Sequence, residues 1–117
     1  MLAYFWKRLI LRSKWSWAGV LATWKSEYSF RTWVWANLVS ASLALILPLG
    51  VAERALILAL GVLVMAAELF NTAIEDTVDY ISKDQHPLAG RAKDAGSAAV
   101  AVTAIAAGLA WVVILVG

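Results

Sequence analysis

Four residues along one stretch of this chain could do chemistry together: Glu68, Asn71, Glu75 and Asp79. At about 100° per residue on a helix, Glu75 falls about 20° to one side of Glu68, Asp79 about 20° to the other, and Asn71 about 60° away. One face therefore carries three carboxylates and an amide. Oxygen ligands of this kind suit a hard cation such as Mg²⁺, which takes a few carboxylates and completes its shell with water and phosphate. Glu27, at the end of the N-terminal segment, could reach the same height as a further ligand. Glu75 and Asp79 could equally be a solvated helix end. For Glu68 the plainer alternative is an interhelical ion pair, because it directly follows the uncharged run from Ala55 to Ala67, and an ionisable group at that depth is costly and commonly functional.

A second group, Gly90-Arg91-Ala92-Lys93-Asp94-Ala95-Gly96-Ser97, precedes an uncharged tail that begins at Ala95. Cationic side chains beside a helix N-terminus can meet phosphate oxygens. Arg91 and Lys93 could also be plain interfacial anchors. The chain has no G-x-x-x-x-G-K-[ST] phosphate loop, no G-x-G-x-x-G and no soluble-kinase catalytic loop. His86 is the single histidine, so a loop or nucleotide-edge contact is a better role for it than an imidazole metal site. Without cysteine, disulfides and thiolate sites are excluded.

These groups need elements to hold them. With 117 residues, 62% apolar and 15% charged, and a mean hydropathy of +0.76, the chain is expected to be a single all-α integral membrane domain. Residues 1–28 read as an amphipathic interfacial helix, with Trp6, Leu9, Ile10, Trp17, Val20, Leu21 and Trp24 on one arc and Lys7, Lys14 and Lys25 away from it. Such a helix could also pack on protein. A first crossing is expected over 32–50, with Trp33 and Trp35 in an aromatic belt. Pro48 and Gly50 mark a turn. A second helix is expected over 51–81, continuing beyond the membrane because no breaker interrupts it. Pro87 and Gly90 are read as punctuating a short connection before a third span over 90–116, whose small residues allow close approach.

The formal charge of +2 is distributed asymmetrically: six basic residues precede the first apolar run, Lys83, Arg91 and Lys93 lie between the second and third, and Arg54 alone lies in the other connection. The positive-inside rule then puts the N-terminus and the 82–89 connection in the cytoplasm. The basic balance reflects topology and anionic headgroups, not nucleic acid. The early charges argue against a cleaved signal peptide. Three spans alone bury few polar groups, so a homo-oligomer is expected.

The pattern Glu68-x-x-Asn71-Thr72-Ala73-Ile74-Glu75, Val78-Asp79, His86 and Ala92-Lys93-Asp94, with Ser16-Trp17-x-Gly19, Glu27 and Phe30-Arg31 upstream, closely resembles the bacterial integral-membrane diacylglycerol kinases and their undecaprenol kinase relatives. The resemblance implies a homotrimer in the bacterial cytoplasmic membrane that uses ATP and Mg²⁺. Glu68 would be the general base toward the lipid hydroxyl, with Asn71 orienting the catalytic groups. Glu27 and Glu75 would hold metal at the phosphates. Asp84, Gln85, His86, Lys93 and Asp94 would contact nucleotide, as would Trp15, although the family commonly has tyrosine there and Trp15 lacks the hydroxyl. Arg8, Ser16, Trp17, Arg31, Arg54, Ser97 and Trp111 would contact lipid. Diacylglycerol is the favoured substrate, with undecaprenol as the alternative. A transporter built around an intramembrane acid is the rival from another class.

Overall fold

The computed structural model describes residues 1–117 as four helices: α1 Leu2–Ser26, α2 Tyr28–Ile46, α3 Val51–Ile81 and α4 Pro87–Val116. Helix α3 is the central element, packing along α4 and against α2. Helix α1 touches the bundle mainly around Thr23, which is buried, and otherwise leaves Trp6, Ile10 and Trp17 exposed. Few side chains form the core, chiefly Phe30, Ala44, Ile57, Val64 and Val100. The radius of gyration, 17.4 Å, exceeds the roughly 13 Å of a compact domain of this length. Most of the apolar surface thus needs lipid or other copies of the chain to cover it.

The breaks between helices have local causes. Glu27 is extended (φ −115°, ψ 110°) and ends α1 while opening α2. The Arg31 guanidinium donates back to the carbonyl oxygens of Trp24 and Lys25, occupying acceptors that the end of α1 leaves open. Helix α2 thus starts and ends four residues before the expected 32–50 span, because Arg31 belongs to its first turns. At its other end, Arg54 Nε donates to Ala44 O at 2.7 Å and Nη2 to Leu47 O and Leu49 O at 3.3 Å, while Gly50 N donates to Glu53 Oε1 at 2.8 Å. Arg54→Ala should destabilise the fold by about 1–3 kcal/mol through these orphaned carbonyls. A thermal melt in detergent against wild type checks this capping role.

Pro87 is the first residue of α4, where its missing N–H costs nothing, and Gly90 lies inside the helix. The expectation that Pro87 and Gly90 mark the connection, with the helix starting at 90, is therefore corrected: the connection is 82–86. Helices α3 and α4 are long and apolar enough to cross a membrane. Helix α2 falls short of that measure because Arg31, Asn37 and several hydroxyl side chains dilute its apolar content. Its contact with α3 is close: Asn37 Nδ2 donates to Trp33 O at 3.0 Å and reaches Met65 Sδ at 3.1 Å, and Asn37 Oδ1 lies against Gly61, where no Cβ could fit. The backbones of α2 and α4 stay apart, but Trp111 Nε1 donates to Ser40 Oγ at 2.8 Å and links them.

Candidate active site

At 1.5 Å per residue α3 is about 46 Å long, half as long again as a hydrocarbon core of about 30 Å. Its apolar first half leads to Glu68, about 25 Å from the start of the helix. Glu68 is only 3% exposed. Ser29, in the first turn of α2, donates from Oγ to Glu68 Oε2 at 3.3 Å. The other oxygen, Oε1, takes no hydrogen bond within the chain, yet the one fully enclosed side-chain atom without a partner is Asn71 Oδ1. Oε1 is therefore not fully enclosed.

Glu27, at the α1–α2 break, faces the acidic stripe. Burial pushes its carboxyl above the usual glutamate range, repulsion from Glu75 and Asp76 pushes it further, and Arg31 partly offsets both. The negative charge that Glu27 meets there also favours a cation beside it. No group of three or more acidic or imidazole side chains gathers closely enough to hold a metal unaided. Glu27 and Glu75 are the type of donor Mg²⁺ takes when water and phosphate complete its shell.

Asn71 Nδ2 donates to Glu75 Oε1 at 3.2 Å. Its Oδ1 faces the backbone of α4 at Gly96, where an added Cβ would lie 2.5 Å away. The amide is thus wedged between Glu75 and α4, and the missing side chain at Gly96 makes room for it. Gly96→Ala should cost about 1–3 kcal/mol by overpacking and lower turnover by turning the Asn71 amide away from Glu75. Gly108→Ala, with open space at its Cβ, should be neutral in the same melting and activity measurements.

Asp79 does not join the acidic stripe as a free ligand. Lys93 Nζ donates to Asp79 Oδ1 at 2.6 Å, so the expected face of three available carboxylates is reduced to Glu68 and Glu75. The periodicity of α3 could not reveal this, because the cation comes from α4. The ion pair stands at the edge of an open cleft of about 350 Å³ lined by Ser82, Lys83, Asp84, Gln85, His86, Ala89 and Gly90, among others. His86 caps α4, its Nδ1 accepting from Leu88 N at 3.0 Å, which leaves the Nε2 hydrogen to face outwards. Asp94 and Glu75 are not among the residues lining this cleft.

The remaining candidates scatter. Ser16 lines a groove of about 410 Å³ between α1 and α3, together with Gly19, Thr72 and Asp76. Arg8, Trp15, Trp17 and Ser97 are exposed. Arg31 and Arg54 have donors committed to backbone carbonyls, and Trp111 has its N–H committed to Ser40. These three are engaged within the protein, so a lipid contact from any of them would have to come from its remaining surface. Ser29, which no sequence motif singled out, is in direct contact with Glu68.

Comparison with known proteins identifies the family. The family model described as prokaryotic diacylglycerol kinase matches residues 14–115. A diacylglycerol kinase of Pseudomonas aeruginosa is 41% identical over 111 residues, covering 95% of this chain and 90% of the relative. One of Escherichia coli K12 is 40% identical over 108 residues, covering 92% and 88%. An undecaprenol kinase of Bacillus subtilis is 37% identical over 87 residues, covering 74% and 71%. With a family match over residues 14–115 and relatives about 40% identical over nearly its whole length, this chain belongs to the prokaryotic diacylglycerol kinase family.

Proposed function

We propose that the chain transfers the terminal phosphoryl group of Mg²⁺-bound ATP to the hydroxyl of diacylglycerol, giving phosphatidic acid at the cytoplasmic face of the inner membrane. The observation that carries this reading is the placement of Glu68: a nearly buried carboxylate at the end of an apolar run, with one oxygen held by Ser29 and one without a partner. A lipid alcohol sits at headgroup depth, and a base must be within hydrogen-bond reach of the proton it takes. On this reading Glu68 would answer both demands.

Mg²⁺ and ATP, when bound, supply a phosphoryl donor with much of its charge neutralised. Glu27 and Glu75 would hold the metal. Asn71 keeps Glu75 oriented through its amide. Lys93 is positioned to exchange Asp79 for phosphate, and the cleft at Asp84, Gln85 and His86 would take the nucleoside, with Asp94 and Trp15 at its periphery. Glu68 accepts the alcohol proton as the oxygen attacks. The groove beside Ser16 and the exposed faces of Arg8, Trp17 and Ser97 would receive the lipid.

The same reading has α2 as a third crossing beside α3 and α4, α1 along the cytoplasmic interface and the N-terminus inside. A homotrimer would cover apolar surface that one chain leaves exposed. The family likeness to an undecaprenol kinase keeps a polyprenol as the second substrate. Purified protein in mixed micelles with labelled ATP should transfer label to diacylglycerol, and EDTA should stop it. Label appearing on undecaprenol alone would establish the second substrate, and label on neither would overturn the kinase reading.

A further inference from the structure

We infer that Ser29 is a positioning residue for the phosphoryl transfer, holding the Glu68 carboxylate so that one of its oxygens stays turned toward the lipid alcohol. The inference rests on Glu68 being the base, as proposed above.

The Ser29 hydroxyl is the only group in the chain that hydrogen-bonds the Glu68 side chain, at 3.3 Å to Oε2. Glu68 is 3% exposed, whereas Ser29 is exposed. The hydroxyl thus lies on the open side of an otherwise enclosed acid, at the first turn of α2, two residues beyond the extended Glu27 that starts the helix. A glutamate side chain has freely turning torsions, and a base works only when its oxygen is aimed at the reacting proton. Close packing along α3 restricts those torsions but does not choose between the two carboxylate oxygens. A hydrogen bond to one oxygen does: with Oε2 engaged by Ser29, Oε1 has no partner inside the chain, is not fully enclosed, and is left as the acceptor.

The donor also has suitable chemistry. A neutral hydroxyl satisfies the carboxylate without neutralising it, unlike a lysine or arginine in the same place, which would form a closed ion pair. It comes from α2, whereas Asn71 and Glu75 come from α3 and Lys93 from α4, so α2, α3 and α4 each contribute a polar group to the proposed site. Ser29 does not touch the nucleotide cleft at Ser82 to His86. Its influence should therefore fall on turnover and not on nucleotide binding.

The test compares the full-length wild type, Ser29→Ala, Ser29→Thr and Glu68→Gln in mixed micelles, with kcat for the lipid and KM for Mg²⁺-ATP measured separately. Ser29→Ala should lower kcat on the order of tenfold, the scale of losing a hydrogen bond to a charged group, with KM for Mg²⁺-ATP within about twofold. Ser29→Thr, which keeps the hydroxyl, should restore kcat to within about threefold of wild type. Ser29 is exposed, so neither change should disturb folding, and the oligomer profile on gel filtration checks this. Wild-type kcat in Ser29→Ala, equal slowing in Ser29→Thr, or a loss confined to KM would each overturn the positioning role. Those results with an inactive Glu68→Gln would leave the base standing. An active Glu68→Gln would instead overturn the reading on which the inference rests.

Discussion

Glu68→Gln is expected to lower kcat roughly a thousandfold, the scale of losing a general base, equivalent to about 4 kcal/mol of barrier. The substitution keeps the volume and the acceptor that Ser29 addresses, so packing around this nearly buried side chain should persist. It removes the ability to take a proton. KM for Mg²⁺-ATP should change little, since the base acts on the lipid alcohol. Melting temperature should stay level or rise, because a buried uncompensated carboxylate is itself unfavourable. Steady-state kinetics with a thermal melt would decide between this and a structural ion pair: Glu68 has no cationic partner within the chain, so a purely structural role would alter stability and leave chemistry intact.

Glu75→Gln should act on the metal. The Mg²⁺ concentration for half-maximal rate is expected to rise ten- to a hundredfold, as one of two anionic ligands becomes neutral. Glu27→Gln should do the same. The double variant should fall well short of the summed effect, because the two carboxylates serve one ion and residues acting as a unit are not additive. Their repulsion, which adds to burial in pushing Glu27 above the usual range, disappears in either single variant. The apo protein should therefore become slightly more stable while the enzyme becomes worse. Asn71 complicates the Glu75 variant only mildly, since a glutamine oxygen can still accept from Asn71 Nδ2. A Mg²⁺ titration of initial rates, with protein stability followed in parallel, checks both parts.

Much of the helical framework could be read from the residues. The helix over 51–81 has breakers before it and none within it, so its limits follow from backbone chemistry alone. The start of α4 was misread because proline ends one helix and begins another with equal ease: at Pro87 the His86 side chain supplies the cap, and a ring with no N–H suits the first position. The 32–50 span was set by charge, whereas α2 takes in Arg31, whose guanidinium folds back onto α1.

The site was legible along a single helix and not between helices. Glu68, Asn71 and Glu75 share a face by periodicity, and that pattern also carried the family resemblance. Asp79 lies on the same face, yet its partner Lys93 comes from fourteen residues away on α4, where no period of α3 reaches. The fit of Asn71 against Gly96 and the contact of Ser29 with Glu68 depend in the same way on helix packing. Arg54 and Trp111 are expected from the resemblance to contact lipid, and their donors join parts of the fold. Ser29 carried one sequence signal, a hydroxyl two positions after Glu27, but that acquires meaning only once α2 is laid beside α3.

Division of labour among the acidic residues is the point on which the chemistry turns, and binding of Mn²⁺ in place of Mg²⁺, with a non-hydrolysable ATP analogue, measures it directly by electron paramagnetic resonance in micelles. The predicted result is tight Mn²⁺ binding in wild type and in Glu68→Gln, with loss in Glu27→Gln and Glu75→Gln. Binding that survives both of the latter substitutions, or that disappears in Glu68→Gln, would contradict the assignment of metal to Glu27 and Glu75 and of proton transfer to Glu68.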